Sequence, residues 1–204
     1  MVFLIIGCGY KKIQNSNIYC EKIYFECTRK TQLIIFRTSK GNLEVELYGG
    51  RNPITVSNFV ANIKKDIYKN IKFYKIVNYP QIKLIHSGVY SKSFIYNKEN
   101  QNLNQISPSI PLEIKMGKES EPRYNYEVND PSEILNLESI FENGSLAMVK
   151  SGKSNSSSTE FFFVTNSFPE LDGRYSVFGK VVKGIEILNK VSIKDLIYEV
   201  VISN

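Results

Sequence analysis

Short apolar runs alternate with turn residues along most of this chain. The run at 33–38 is apolar, Ser39-Lys40-Gly41 is a turn, and 42–47 puts Leu43, Val45 and Leu47 on one side with Glu44 and Glu46 on the other. A period of two bounded by turn residues predicts a β-hairpin with one face on a core. The period then changes. Asn52-Pro53 supplies a cap and a first-turn proline, after which Val56, Phe59, Val60 and Ile63 recur at i, i+3, i+4 and i+7, the stripe of a helix lying on that core. Strand patterning returns at 71–77 and 82–86, around a turn at 78–80. Strict alternation places Phe73, Lys75 and Val77 on one face of the first strand, and Ile82, Leu84 and His86 on one face of the second.

Residues 87–130 are mostly polar apart from Ile110-Pro111-Leu112-Glu113-Ile114, and read as surface loop; 132–141 reads as a short helix. The densest patterning lies between Ser145 and Val181, where apolar runs at 145–149, 161–164 and 177–181 are split by a Ser/Gly loop and by a Leu171-Asp172-Gly173 turn. Three consecutive phenylalanines cannot serve one core. In an alternating strand Glu160, Phe162 and Val164 share a face, while Phe161 and Phe163 share the other. Phe162 therefore faces something else, and a binding pocket is expected there. The polar run 154–159 reads as a flexible loop rather than a nucleophile site, since no Asp or His partner stands beside it. Gly184 precedes a helical stretch with Ile185, Leu188 and Val191 free to pack, and 194–202 closes the chain as a strand. Two main helices and about eight strands in this order predict an all-β domain, an antiparallel barrel capped at its ends.

Leu146-Ala147-Met148, a Gly/Ser/Asn loop, Glu160-Phe161-Phe162, Leu171-Asp172-Gly173-Arg174-Tyr175 and Val177-Phe178-Gly179-Lys180-Val181 follow one another here in an order that resembles the cyclophilins, the peptidyl-prolyl cis-trans isomerases. The resemblance extends more faintly from Leu33 to the C-terminus. It implies a closed eight-stranded antiparallel β-barrel with two main α-helices over 31–204, acting without a cofactor on proline-containing polypeptides during protein folding. It also implies a catalytic arginine at the position of Lys75 and two flanking glutamines at His86 and Glu160. Leu84, Phe162 and Leu171 would wall the proline pocket, Val149 and Lys150 would lie along the extended substrate, and Tyr175 would border the pocket. Glu170 stands at the family's indole position, and the chain has no Trp. Arginine offers a planar fork of donors and lysine a flexible point charge. Two functions follow: an isomerase of reduced activity, with Lys75 paired to Glu160 as one conceivable arrangement, or a non-catalytic proline-peptide-binding chaperone or scaffold.

Composition narrows the setting. A chain of 204 residues can bury one full core. The formal charge of +6 comes from dispersed lysines without a basic block, which argues against a nucleic-acid partner. One His and no CxxC argue against a metal site. Residues 1–8 end in Ile5-Ile6-Gly7-Cys8 and resemble the lipobox of bacterial lipoproteins, although no basic region precedes them. Two readings stand: a lipid-anchored extracytoplasmic monomer tethered through Cys8 and a polar segment to residue 30, or a cytoplasmic protein. With Cys8 lipidated, Cys20 and Cys27 would make an even pair suited to a disulfide; two free thiols are the alternative.

Overall fold

The alternation at 33–47 is realised as β1 (Thr31–Thr38) and β2 (Gly41–Tyr48), paired in register from Thr31 opposite Tyr48 to Thr38 opposite Gly41. The computed structural model describes residues 27–89, 109–152 and 154–203. Cys8, Cys20 and the lipobox-like start lie outside these residues; Cys27 is disulfide-bonded. Helix α1 (Pro53–Lys64) turns Val56, Phe59 and Ile63 onto the core, as its stripe requires. There follow β3 (Ile71–Lys72), β4 (Lys75–Asn78), β5 (Lys83–Gly88), β6 (Ser109–Pro111), β7 (Glu113–Ile114), β8 (Arg123–Tyr124), α2 (Pro131–Ile134), β9 (Ser145–Lys150), β10 (Asn155–Val164), β11 (Val177–Lys183), α3 (Glu186–Lys190) and β12 (Leu196–Ile202).

The large sheet is strongly curled and runs β3-β12-β1-β2-β11-β9-β10-β5-β4, with every pair antiparallel. Its two ends, β3 and β4, are separated only by Phe73 and Tyr74. The Phe73 N–H donates to the Asp195 carbonyl beside β12, at 3.1 Å, and the Tyr74 N–H donates to the His86 carbonyl on β5, also at 3.1 Å. One stretch of chain thus joins both edges and closes an eight-strand circuit, which removes the open edges a flat sheet would present. The interior is filled by Phe36, Phe59, Tyr68, Phe161, Phe163 and Phe178, packed at centroid distances of 4.6 to 6.2 Å.

Four expectations are corrected. Asn52 does not cap α1 with its side chain; its Nδ2 donates to the Glu113 carbonyl. The buried Glu113 carboxylate takes the capping role, accepting the Ile54 N–H at 3.0 Å and the Thr55 N–H at 2.6 Å. The predicted helix over 132–141 stops at Ile134, capped at its start by Asp130; the remainder leads to Phe141, whose N–H is held by Asp172 Oδ1 at 2.7 Å. The polar run 154–159 is no loop: most of it belongs to β10, and Ser156, Ser157, Ser158 and Thr159 are buried. Finally, Phe73 and Lys75 do not share a face. Phe73 fills the barrel, whereas Tyr74 and Lys75 are both exposed and Ile76 again packs on the core. The break between β3 and β4 shifts the alternation by one residue.

Candidate active site

The Phe triplet divides as the alternation of β10 demands. Phe161 and Phe163 enter the barrel core, and Phe162 joins a second apolar cluster on its outer wall with Leu84, Phe141, Ala147, Val164 and Val177. Val149, Leu171, Tyr175 and Phe168 pack around that cluster, half-buried. Registers explain the convergence. Lys75 lies opposite His86, His86 opposite Phe162, Phe162 opposite Ala147, and Ala147 opposite Val177. Directly opposed residues of antiparallel strands project to the same side, so these five form one row across β4, β5, β10, β9 and β11.

Phe162 is 2% exposed. Its ring stacks on His86 at 5.2 Å and Phe141 at 5.8 Å, and meets Tyr175 edge-on at 5.3 Å. Leu171 closes the wall from the turn that Gly173 makes possible: its φ is +73°, and a Cβ there would lie 2.3 Å from the Val128 carbonyl oxygen. Lys150 Nζ pairs with Glu127 and sits 5.4 Å from the Tyr175 ring centre, so it stands at the rim. Glu170 is exposed on the short 3-10 turn at 169–171.

The polar groups lie along one edge of the cluster. Burial, and secondarily the Lys75 charge, lower the His86 pKa to about 4, so the imidazole is neutral at pH 7 with one donor and one acceptor. Glu160 Oε1 accepts the Tyr74 hydroxyl at 2.9 Å, and the Ser157 hydroxyl lies 3.5 Å from Oε2. Burial raises the Glu160 pKa, and these hydrogen bonds oppose the rise. Among the described residues no ion pair joins Lys75 to Glu160, in contrast to the arrangement conceived from the sequence; Tyr74 holds that carboxylate instead.

Structure therefore brings Leu84, His86, Val149, Lys150, Glu160, Phe162, Leu171 and Tyr175 around one feature, with Lys75 at the end of its row. Sequence reasoning missed Tyr74 and Phe141. Tyr74 was hidden by the phase shift: strict alternation from either end of 71–77 puts it with Ile76 on the core side, whereas it is exposed beside Lys75. Phe141 sat in the stretch expected to be helical. Nothing local marks it.

The chain is thus an eight-stranded antiparallel barrel with a filled interior and an aromatic cluster on its outer wall, edged by a cation. Residues 33–202 match the family described as cyclophilin type peptidyl-prolyl cis-trans isomerase/CLD. The chain belongs to that family, and so to the isomerase class of enzymes. It is 25% identical over 165 residues to a peptidyl-prolyl cis-trans isomerase of Acinetobacter baylyi, covering 78% of this chain and 71% of that one. A Helicobacter pylori peptidyl-prolyl cis-trans isomerase is 26% identical, with 86% and 89% covered; against the longer peptidyl-prolyl isomerase CWC27 of Cryptococcus neoformans the chain spans 27% of the relative's length. A Cryptosporidium parvum cyclophilin type isomerase solved in the presence of the dipeptide Ala-Pro superposes with a TM-score of 0.60 at 25% identity, covering 85% of this chain and 99% of that one.

Proposed function

We propose that the protein accelerates rotation about X-Pro bonds in polypeptides, with reduced turnover, using the Phe162 cluster to seat the proline ring and the Lys75 ammonium to polarise the twisting amide. The observation that carries this reading is the row Lys75, His86, Phe162 across three paired strands. The similarity to a relative studied with Ala-Pro supports the substrate class. Rotation is slow because amide resonance must be broken, at a cost of about 18–20 kcal/mol. No covalent bond to the protein is needed. The catalyst grips the ring and places a donor where the pyramidalising nitrogen or carbonyl oxygen gains electron density, so that the interaction is stronger in the twisted state than in the planar one. A proline ring set against Tyr175, Leu171 and the edge of Phe162 would complete the burial of those half-exposed side chains. Neutral His86 adds no competing charge beside the ammonium.

One observation favours a second reading, a non-catalytic module that binds proline-containing segments: Lys75 is exposed, and no ion pair among the described residues orients its amine. A protease-coupled isomerisation assay on a proline peptide separates the two. The expected result is a catalysed rate above background that falls about 10-fold or more in Lys75→Ala, the loss of one charge-assisted hydrogen bond. A wild-type rate equal to background, with peptide binding retained, would leave the binding module.

A further inference from the structure

Tyr74 is half-exposed, immediately precedes Lys75, and belongs to no apolar cluster. Its hydroxyl donates to Glu160 Oε1 at 2.9 Å, and its ring lies 6.1 Å from that of His86. Both Tyr74 and Lys75 are exposed because the alternation shifts between β3 and β4, so a neutral donor and a cation are neighbours on the outer side, and the donor is bonded to the Glu160 carboxylate. Glu160 shares the outer face with Phe162, two residues along β10, and Lys75 ends the row that Phe162 begins. With strands about 4.8 Å apart and residues about 3.3 Å apart along them, the two Cα atoms are roughly 12 Å apart, a span that an extended lysine and glutamate together can bridge. A carboxylate so placed is a competitor for the ammonium.

We infer that Tyr74 is a positioning residue: by occupying Glu160, its hydroxyl leaves the Lys75 ammonium for the substrate amide. The inference rests on the isomerase reading above for its catalytic consequence, but not for its geometry. Burial and the neighbouring carboxylate push the Tyr74 hydroxyl pKa upward, so it remains a donor throughout the range in which the protein would work. The other charged groups of this site stand apart from the pair: Lys150 is engaged by Glu127, and Glu170 is exposed on its turn.

Tyr74→Phe tests it, because the ring stays and only the donor leaves. The expected result is a fall of about 10-fold in kcat with little change in KM, as Glu160 draws Lys75 away. Adding Glu160→Gln removes the competitor, and Tyr74→Phe/Glu160→Gln should return to within about 3-fold of Glu160→Gln alone, a non-additive result that two independent sites would not give. A second readout needs no turnover. His86 is the only histidine of the chain, and Lys75 contributes to its depressed pKa; its ring proton resonances should titrate at higher pH in Tyr74→Phe and return in the double variant. Loss of kcat without rescue, together with an unmoved His86 midpoint, would overturn the inference in favour of a merely structural hydroxyl. An unchanged kcat in Tyr74→Phe beside a reduced one in Lys75→Ala would overturn it while leaving the isomerase reading intact. An inactive wild type would sink the isomerase reading, and the His86 midpoint would still decide for or against Tyr74.

Discussion

The difference between an arginine and a lysine at one position sets how much catalysis this surface can deliver. Lys75 presents three donors on a flexible stem, so an amide oxygen or nitrogen in motion must capture a group that is itself mobile. A guanidinium in the same row would lie over the neutral His86 ring, able to accept at one nitrogen, and would hold two parallel donors toward the substrate. Lys75→Arg is therefore expected to raise kcat/KM by roughly 10- to 150-fold, the worth of one additional charge-assisted hydrogen bond. The coupled assay that measures Lys75→Ala reads it directly. An unaltered or lower rate would mean that the amine contributes only charge. The separate duties of Phe161, Phe162 and Phe163 were legible in the sequence because three rings in succession cannot all satisfy one face of a strand. Lys75 was legible as a pocket-facing residue alternating with Val77; the face of Phe73 was not, because strict alternation carries it across a break that no single residue type announces.

At the scale of elements, β10 shows how a polar run becomes part of a barrel. From Ser156 to Phe161 it advances much further than its partner β9, which moves only from Lys150 to Met148. The surplus residues form a bulge that re-aims Glu160 and Phe162 toward the outer wall. Such a bulge leaves a buried carbonyl, that of Ser158, which accepts Asn58 Nδ2 at 2.6 Å and Asn62 Nδ2 at 2.8 Å from one face of α1. Two donors on one acceptor predict a particular energetic pattern. Asn58→Ala or Asn62→Ala alone leaves the carbonyl paired and should cost about 1 kcal/mol, whereas the double variant leaves it buried without a partner and should lose a further 1–3 kcal/mol beyond the sum. Urea unfolding of the four proteins measures this, and strict additivity would show that the carbonyl finds another donor. The hairpin, α1 and the apolar half of β10 were readable because their periods are local. The Ser/Thr half was not, since the Ser158 carbonyl is satisfied by residues 96 and 100 positions away and the Thr159 hydroxyl by the Val89 carbonyl 70 positions away, and polarity without visible partners reads as surface.

Across the whole molecule, two titrating groups stand in unlike settings. His86 lies on the outer wall beside a cation, and Glu113 lies fully buried at the start of α1. Two helix N–H groups favour the Glu113 carboxylate, but burial outweighs them and pushes its pKa up to about 7 from 4.5. Between those values the folded state keeps a proton the unfolded chain has released, so this group makes stability fall as pH rises from about 4.5 to about 7. His86 works in the other direction. Its folded pKa of about 4 lies below the ordinary 6.5, so over that interval the unfolded chain binds the extra proton and stability grows with pH. Each group can contribute up to about 1.4 kcal/mol per pH unit, and from about 4.5 to 6.5 the two slopes oppose one another. Removing either group should expose the other. Relative to wild type, Glu113→Gln is expected to gain stability progressively as pH rises through 4.5–7, and His86→Gln to lose it progressively through 4–6.5; groups common to all three proteins cancel in these differences. Urea unfolding at pH 4.5, 5.5, 6.5 and 7.5 gives both difference curves. A flat curve for Glu113→Gln would mean that the carboxylate is ionised throughout, with the α1 N-terminus supplying more stabilisation than burial removes. A flat curve for His86→Gln would mean that the Lys75 charge lies too far from the imidazole, and the imidazole too near water, for the row on the outer wall to act as a single electrostatic unit.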